Sequence, residues 1–422
     1  MKKKTGFLTL AVLIFALALA TMAQAAEVTV LYSFGSGGAN DGIYPYGAPV
    51  LYDGKLYGTT AAGGSASNSG EIFSYDISTS TYAIEHAFSA SSGGQWPYGN
   101  LVMSTDGNFY GTTYYGGTGM QGVVFSFDPV TKDVTTVHDF YGGSGDGINP
   151  FGTLTLYDGK LFGMTYGGGV VGAGTIFSMN ADVSVWDNLH DFDGSDALTP
   201  YGNLIGSGDT LYGMTYASAT TYGGAIFSIN TDGTGYQVLR ELDWLDSGVG
   251  VNPFGDLFMG PDGLLYGMTS ATLSGAGNVF SYDPDTDTFT QLHEFTGWSN
   301  DGGTPQFGSL TFTADGRLLG TTSAGGASGA GTIFSLNTDG TGFALLHSFA
   351  GGTLDGASPQ TSTLILDAGK IYGLTSSGGA SGKGVLFSTQ YTTPEPATVV
   401  SGLLGLFGLA GKRLLKRKKS KA

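Results

Sequence analysis

Apolar and polar residues alternate along this chain in short runs separated by glycine-rich stretches, and the runs recur in one fixed order. Residues 47–88 show that order in full. Val50–Tyr52 reads as a short strand, Asp53-Gly54 as a tight turn, and Lys55–Thr60 as the returning strand of a hairpin. A glycine-rich loop over 61–70 leads to a third strand at 71–75, and a turn at 76–80 leads to a fourth at 82–88.

The pattern repeats seven times. The motif Leu56-Tyr57-Gly58-Thr59-Thr60 returns with its glycine at Gly111, Gly163, Gly213, Gly267, Gly320 and Gly373, at steps of 53, 52, 50, 54, 53 and 53 residues. A hydrophobic-Phe-Ser triplet follows in constant phase, its phenylalanine at Phe73, Phe125, Phe177, Phe227, Phe280, Phe334 and Phe387. One such unit cannot bury its own faces, so repeats of about 50 residues built from short strands predict a propeller. The expected fold is all-β, a seven-bladed β-propeller of four-stranded antiparallel blades. The seventh unit lacks a fourth strand after Phe387, whereas Leu31-Tyr32-Ser33-Phe34 matches the fourth-strand sequence Leu346-His347-Ser348-Phe349. The N-terminal strand, 28–34, is therefore expected to complete the last blade and remove the open edges.

Three segments are expected: a signal peptide at 1–25, the repeat body at 26–391 and a sorting segment at 392–422. Lys2, Lys3 and Lys4 precede an apolar run, and Ala23-Gln24-Ala25 supplies the small-x-small site that signal peptidase needs. At the other end, Pro394-Glu395-Pro396 precedes an apolar stretch at 397–411 and a tail carrying Lys412, Arg413, Lys416, Arg417, Lys418, Lys419 and Lys421. Basic residues stay on the cytoplasmic side. The apolar stretch is short beside the roughly 20 residues of a permanent span, so a transient inner-membrane insertion is expected.

This end resembles the PEP-CTERM sorting signal of Gram-negative bacteria, carried by Pro394, Glu395 and Pro396, the apolar segment and the basic tail. The resemblance implies recognition by an exosortase, C-terminal processing, and delivery to the cell surface or extracellular matrix. The repeats, through Leu56 to Thr60, Gly63-Gly64, Ile72-Phe73-Ser74 and their counterparts, resemble the GloVer-type tandem-repeat family of exported bacterial proteins. That family implies no established activity. Arg240-Glu241-Leu242 departs from its pattern, replacing His-x-Phe.

The whole chain has a net charge of −17, but most of its bases sit in the two end segments. The body keeps 33 acids against 7 bases, a net charge of about −26. Such a surface repels nucleic acid and attracts divalent cations or basic partners. No cysteine is present, so disulfides and thiolate metal sites are excluded. With 74 glycines, 26 phenylalanines and 23 tyrosines, the composition fits tight turns between aromatic strands.

Candidate chemistry is sparse. His86, His138, His190, His293 and His347 all occupy one position on the fourth strand, where packing or hydrogen bonding is expected rather than catalysis. An Asp-Gly-x-x-Pro-aromatic-Gly element recurs between blades, as in Asp41 to Gly47 and Asp146 to Gly152. Proline and glycine there read as a corner, with the aromatic plugging the blade interface. Its functional reading is a ligand face in which Asp41, Asp146, Asp301 and Asp355 take calcium and Trp96 stacks on a sugar. Trp244 and Trp298 near the same connections read as interface filler. Both long loops of every unit are expected on one face, where binding sites collect. No phosphate-cradling loop ends in Gly-Lys-Ser/Thr, and no nucleophile elbow is present. The expected function is an exported, surface-sorted, non-catalytic propeller that binds matrix polysaccharide or a surface protein. The alternative is a glycan-active hydrolase or lyase using carboxylates on the loop-rich face.

Overall fold

The computed structural model describes residues 27–392 apart from 65–66, 91–92, 181–184, 196, 247 and 361–362. The leader at 1–25, Pro394-Glu395-Pro396, the apolar segment 397–411 and the basic tail lie outside the described residues. Among the described residues no helix is long and apolar enough to cross a membrane.

The two sequence anchors of each repeat are direct partners across one strand pair. Gly58 stands opposite Phe73 in register, and the same pairing joins Gly111 to Phe125, Gly163 to Phe177, Gly213 to Phe227, Gly267 to Phe280, Gly320 to Phe334 and Gly373 to Phe387. A Cβ on Gly58 would lie 2.6 Å from Cζ of Phe73. The glycine is small because the ring lies over it, which explains why the anchors keep phase.

Each repeat forms a four-stranded antiparallel blade, and there are seven. The first orders its strands Val50–Tyr52, Lys55–Thr60, Glu71–Asp76 and Thr81–Ala87. The last takes Ile365–Asp367, Lys370–Thr375 and Val385–Gln390 from the C-terminal end and Thr29–Ser33 as its fourth strand. Thr29 pairs with Ser388 and Ser33 with Val385, so the N-terminal strand closes the ring. In every blade the third and fourth strands shift register at the phenylalanine anchor. Such a bulge re-aims the next side chain. That side chain is the repeat-position histidine, or Arg240 in the fourth blade and Tyr32 in the last.

The core lies between blades. Tyr57 and Ile72 of the first blade pack with Phe109 and Phe125 of the second, while Leu56 and Phe73 pack with Tyr372 and Leu386 of the last. A backbone latch crosses every seam. The residue before each interblade proline, from Tyr44 and Trp96 to Ser358, has a positive φ between 50° and 61°. Its N–H donates to the preceding blade and its carbonyl accepts from its own, as Trp96 does with Ser69 and Tyr114 at 2.9 and 3.0 Å. The tight turns collect on the face opposite the long loops, and both ends of the propeller chain lie there. Thr389 donates to the Glu27 carbonyl at 3.2 Å, and the Tyr391 N–H donates to Gly369 in a hairpin turn at 2.9 Å.

Candidate functional site

The two long loops of each repeat are stitched together on one face. Ile43 bridges Ala62, Gln95 bridges Tyr115, Val251 bridges Ala271, and two-residue ladders do the same in the other four blades. Sequence reasoning placed both loops on this face, and the pairing shows what holds them there.

The four aspartates of the expected ligand face are drawn inward by their own loops. The Asp146 carboxylate meets Nε2 of His138 at 3.2 Å and accepts the N–H groups of Tyr141 and Gly147 at 2.8 and 2.9 Å. Asp301 repeats this with His293 at 3.0 Å, Thr296 and Gly302, and Asp355 with His347 at 3.3 Å, Ala350 and Gly356. Asp41 accepts from the Tyr32 hydroxyl and the Gly37 N–H, both at 2.8 Å. Burial alone would raise the carboxyls of Asp146, Asp301 and Asp355, but the histidine and backbone bonds outweigh it and hold them below the usual carboxylate range. These carboxylates order the loops. Among the described residues no three His, Asp, Glu or Cys side chains gather as a metal site, and the four aspartates stand one per seam.

Three of the five histidines also stack across seams. His138 lies parallel to Trp186 at 3.5 Å, His190 to Tyr236 at 3.8 Å and His293 to Phe343 at 3.8 Å, and Tyr32 does the same with Tyr82 at 3.7 Å. The structural role read for them from sequence thus has a geometry.

The interblade aromatics, expected to plug the blade interface, also converge on one another. Phe307 packs within 5.2 Å of Phe151, 4.8 Å of Phe254 and 5.9 Å of Tyr201, and Tyr98 stacks on Phe151 at 4.8 Å. Tyr46 joins them in lining a cavity of about 30 Å³, with Asn100, Thr153 and Asp256. That volume holds about one water and no sugar. The Asp256 carboxyl is raised by burial, against bonds from Ser309 and the Asn203 N–H.

Exposed rings and aliphatic chains stand on the long loops. Trp298 is 72% exposed and Trp244 38%, so neither is the interface filler expected of it. Tyr141, Val170, Val171, Tyr222, Leu245, Leu273 and Leu354 are exposed on the same set of loops. Trp96 is at the edge of exposure and meets Tyr115 edge to face at 5.1 Å. Between the fourth and fifth blades the histidine of the repeat position is replaced. Arg240 stands in the histidine position, and its guanidinium lies 3.2 Å from Asp246 and 3.7 Å from Asp287. A groove of about 460 Å³ opens there, lined by Arg240, Asp246, Val249, Asp287, Phe289 and Gln291. The Arg240-Glu241-Leu242 departure was the sequence signal for it.

The profile of the Gloeobacter/Verrucomicrobia repeat matches residues 13–157, 142–313 and 274–403. The chain belongs to this repeat family. No curated protein matches it. Solved structures similar to this family member share its fold at low identity. An oligogalacturonate lyase in complex with manganese aligns with a TM-score of 0.54 and 14% identity over 88% of this chain and 95% of its own. An oligogalacturonate lyase from Vibrio parahaemolyticus gives 0.53 and 12% over 88% and 98%. The GH74 xyloglucanase from Xanthomonas campestris gives 0.58 and 11% over 88% of this chain and 55% of the xyloglucanase.

Proposed function

We propose that this Gloeobacter/Verrucomicrobia repeat protein is a non-catalytic propeller that binds neutral polysaccharide along the rim of its loop-rich face. The observation that carries this reading is the set of exposed rings, Trp298, Trp244, Tyr141 and Tyr222, on loops whose own polar groups are tied down. Exposed aromatic faces stack on the apolar faces of sugars, and loops on a rigid scaffold hold them in place. The groove at Arg240 adds that arginine, Asp287 and Gln291 as hydrogen-bonding groups for hydroxyls. Two acids flank the one arginine, and the body carries about −26, so a polyanion is disfavoured. Neighbours named for oligogalacturonate and xyloglucan favour a saccharide as the ligand class. Export by the leader and exosortase sorting at Pro394-Glu395-Pro396 would place the body at the cell surface or in the extracellular matrix.

The test is calorimetric titration of the full chain with neutral and uronate-containing polysaccharides, each with calcium and with chelator. Saturable binding of neutral glycans that weakens in Trp298→Ala supports the reading. Turnover of any glycan, lost in Asp287→Asn, would replace it with the glycan-active alternative, and no binding at all would turn the search toward surface proteins. Cell fractionation of the chain with and without Pro394-Glu395-Pro396 tests the sorting step separately.

A further inference from the structure

At the closing seam, the third strand of the first blade differs from its six counterparts by one buried acid at its first residue. Glu71 begins the third strand of the first blade, where the other blades place Val123, Thr175, Ala225, Asn278, Thr332 and Val385. Its side chain has no exposure to solvent. Oε1 accepts the Tyr82 hydroxyl, while Oε2 is buried with no hydrogen-bond partner among the described residues. Tyr82 lies flat on Tyr32, ring centroids 3.7 Å apart and planes 2° from parallel, and Tyr32 belongs to the N-terminal strand that completes the last blade. The Tyr32 hydroxyl donates to Asp41 at 2.8 Å.

We propose that Glu71 is a protonation latch for ring closure. The neutral carboxyl lets the seam close without a buried charge, with Tyr82 stacked on Tyr32 of the N-terminal strand, and ionisation places an uncompensated charge in the seam and loosens that strand.

The groups facing Glu71 come from each packed element. Tyr82 comes from the fourth strand of its blade, Asp41 and the Gly42 N–H from the connection, and Tyr32 from the N-terminal strand. None of them is a cation. Lys383, the base at this seam, is engaged instead with the Tyr44 hydroxyl at 2.6 Å. Burial, opposed by the Tyr82 bond and reinforced by Asp41, pushes the Glu71 carboxyl up to about 8. A carboxyl raised in the closed state contributes full stability below its open-state value, and that contribution is lost as pH rises toward the closed-state value. From about pH 4.5 to 8 the opening equilibrium should rise by up to about tenfold per pH unit, then level off.

The experiment is hydrogen exchange of the full chain between pH 5 and 9, corrected for the intrinsic pH dependence of exchange, comparing Thr29–Ser33 with Thr288–Glu294. The proposal expects protection of the N-terminal strand to fall with pH up to about 8 while the fifth-blade strand holds, and Glu71→Gln to abolish the fall. An unchanged pH response in Glu71→Gln, or flat protection of Thr29–Ser33 in the natural chain, overturns it. Tyr82→Phe gives a second reading that survives if Glu71→Gln does not fold. It removes the bond that favours the carboxylate, so the levelling point should move to higher pH, and an unmoved one overturns the proposal.

Discussion

Gly384 and Pro45 meet across the closing seam: a Cβ on Gly384 would stand 2.8 Å from Cδ of the proline. Gly384 ends the glycine-rich loop of the last blade and Pro45 opens the first, so the contact joins the two ends of the ring. The same glycine-on-proline contact recurs at the other seams, as between Gly70 and Pro97. It explains why loop glycine and interblade proline repeat together.

Gly384→Ala should therefore destabilise the propeller by about 2–4 kcal/mol, combining strain at φ 106° with clashes against the Thr375 carbonyl and Pro45. Gly382→Ala, at φ 69° with nothing near its Cβ, should cost only about 1 kcal/mol. Urea unfolding of the two variants separates them; equal costs would mean that the close contacts of Gly384 with Thr375 and Pro45 do not matter.

Gly320 and Phe334 should be energetically coupled. Gly320→Ala overfills the space under the ring, where Cζ would lie 2.6 Å from the added Cβ, at about 1–3 kcal/mol. Phe334→Leu relieves that clash while losing ring contacts. The double variant should be less damaged than the two costs added, with a coupling of at least about 1 kcal/mol in a double-mutant cycle.

Acid should weaken the loop face first. Asp146, Asp301 and Asp355 have carboxyls held below the usual range, so they stabilise the fold at neutral pH and lose that contribution as pH falls through their folded values, below about pH 4. Asp301→Asn should cost about 1–3 kcal/mol at pH 7 and less at pH 3. Denaturant unfolding at both pH values gives the comparison, and an equal cost at each would contradict it.

Binding and stability should separate at the rim. Trp298→Ala and Arg240→Ala should each weaken glycan binding by about tenfold. Both should change folding stability by only about 0.5 kcal/mol, since one side chain is exposed and the other makes surface ion pairs. Calorimetric titration beside thermal unfolding checks both halves.

The ring was legible in sequence because its constraints are local and repeated. Gly58 and Phe73 keep phase because they touch, and Leu31-Tyr32-Ser33-Phe34 announced the displaced strand because every fourth strand meets the same bulge. The site was less legible. Asp146, Asp301 and Asp355 resembled free ligands, although each follows its histidine by eight residues, the spacing of the bond that ties it down. Exposure of Trp298 depends on which loops surround it, which no local pattern encodes. Glu71 did carry a signal, a charge where other repeats place apolar or small polar residues. Its consequence depended on Tyr82 and on a strand 40 residues away in the chain.

Glu27 and Tyr391 sit side by side among the hairpin turns. A tether attached at either end therefore grips the propeller from behind, and the loops that carry Trp244 and Trp298 stay clear of the attachment. Under the proposed attachment to a surface, neighbouring copies would all turn the same rim outward, and a glycan bound as proposed could then run from one molecule to the next.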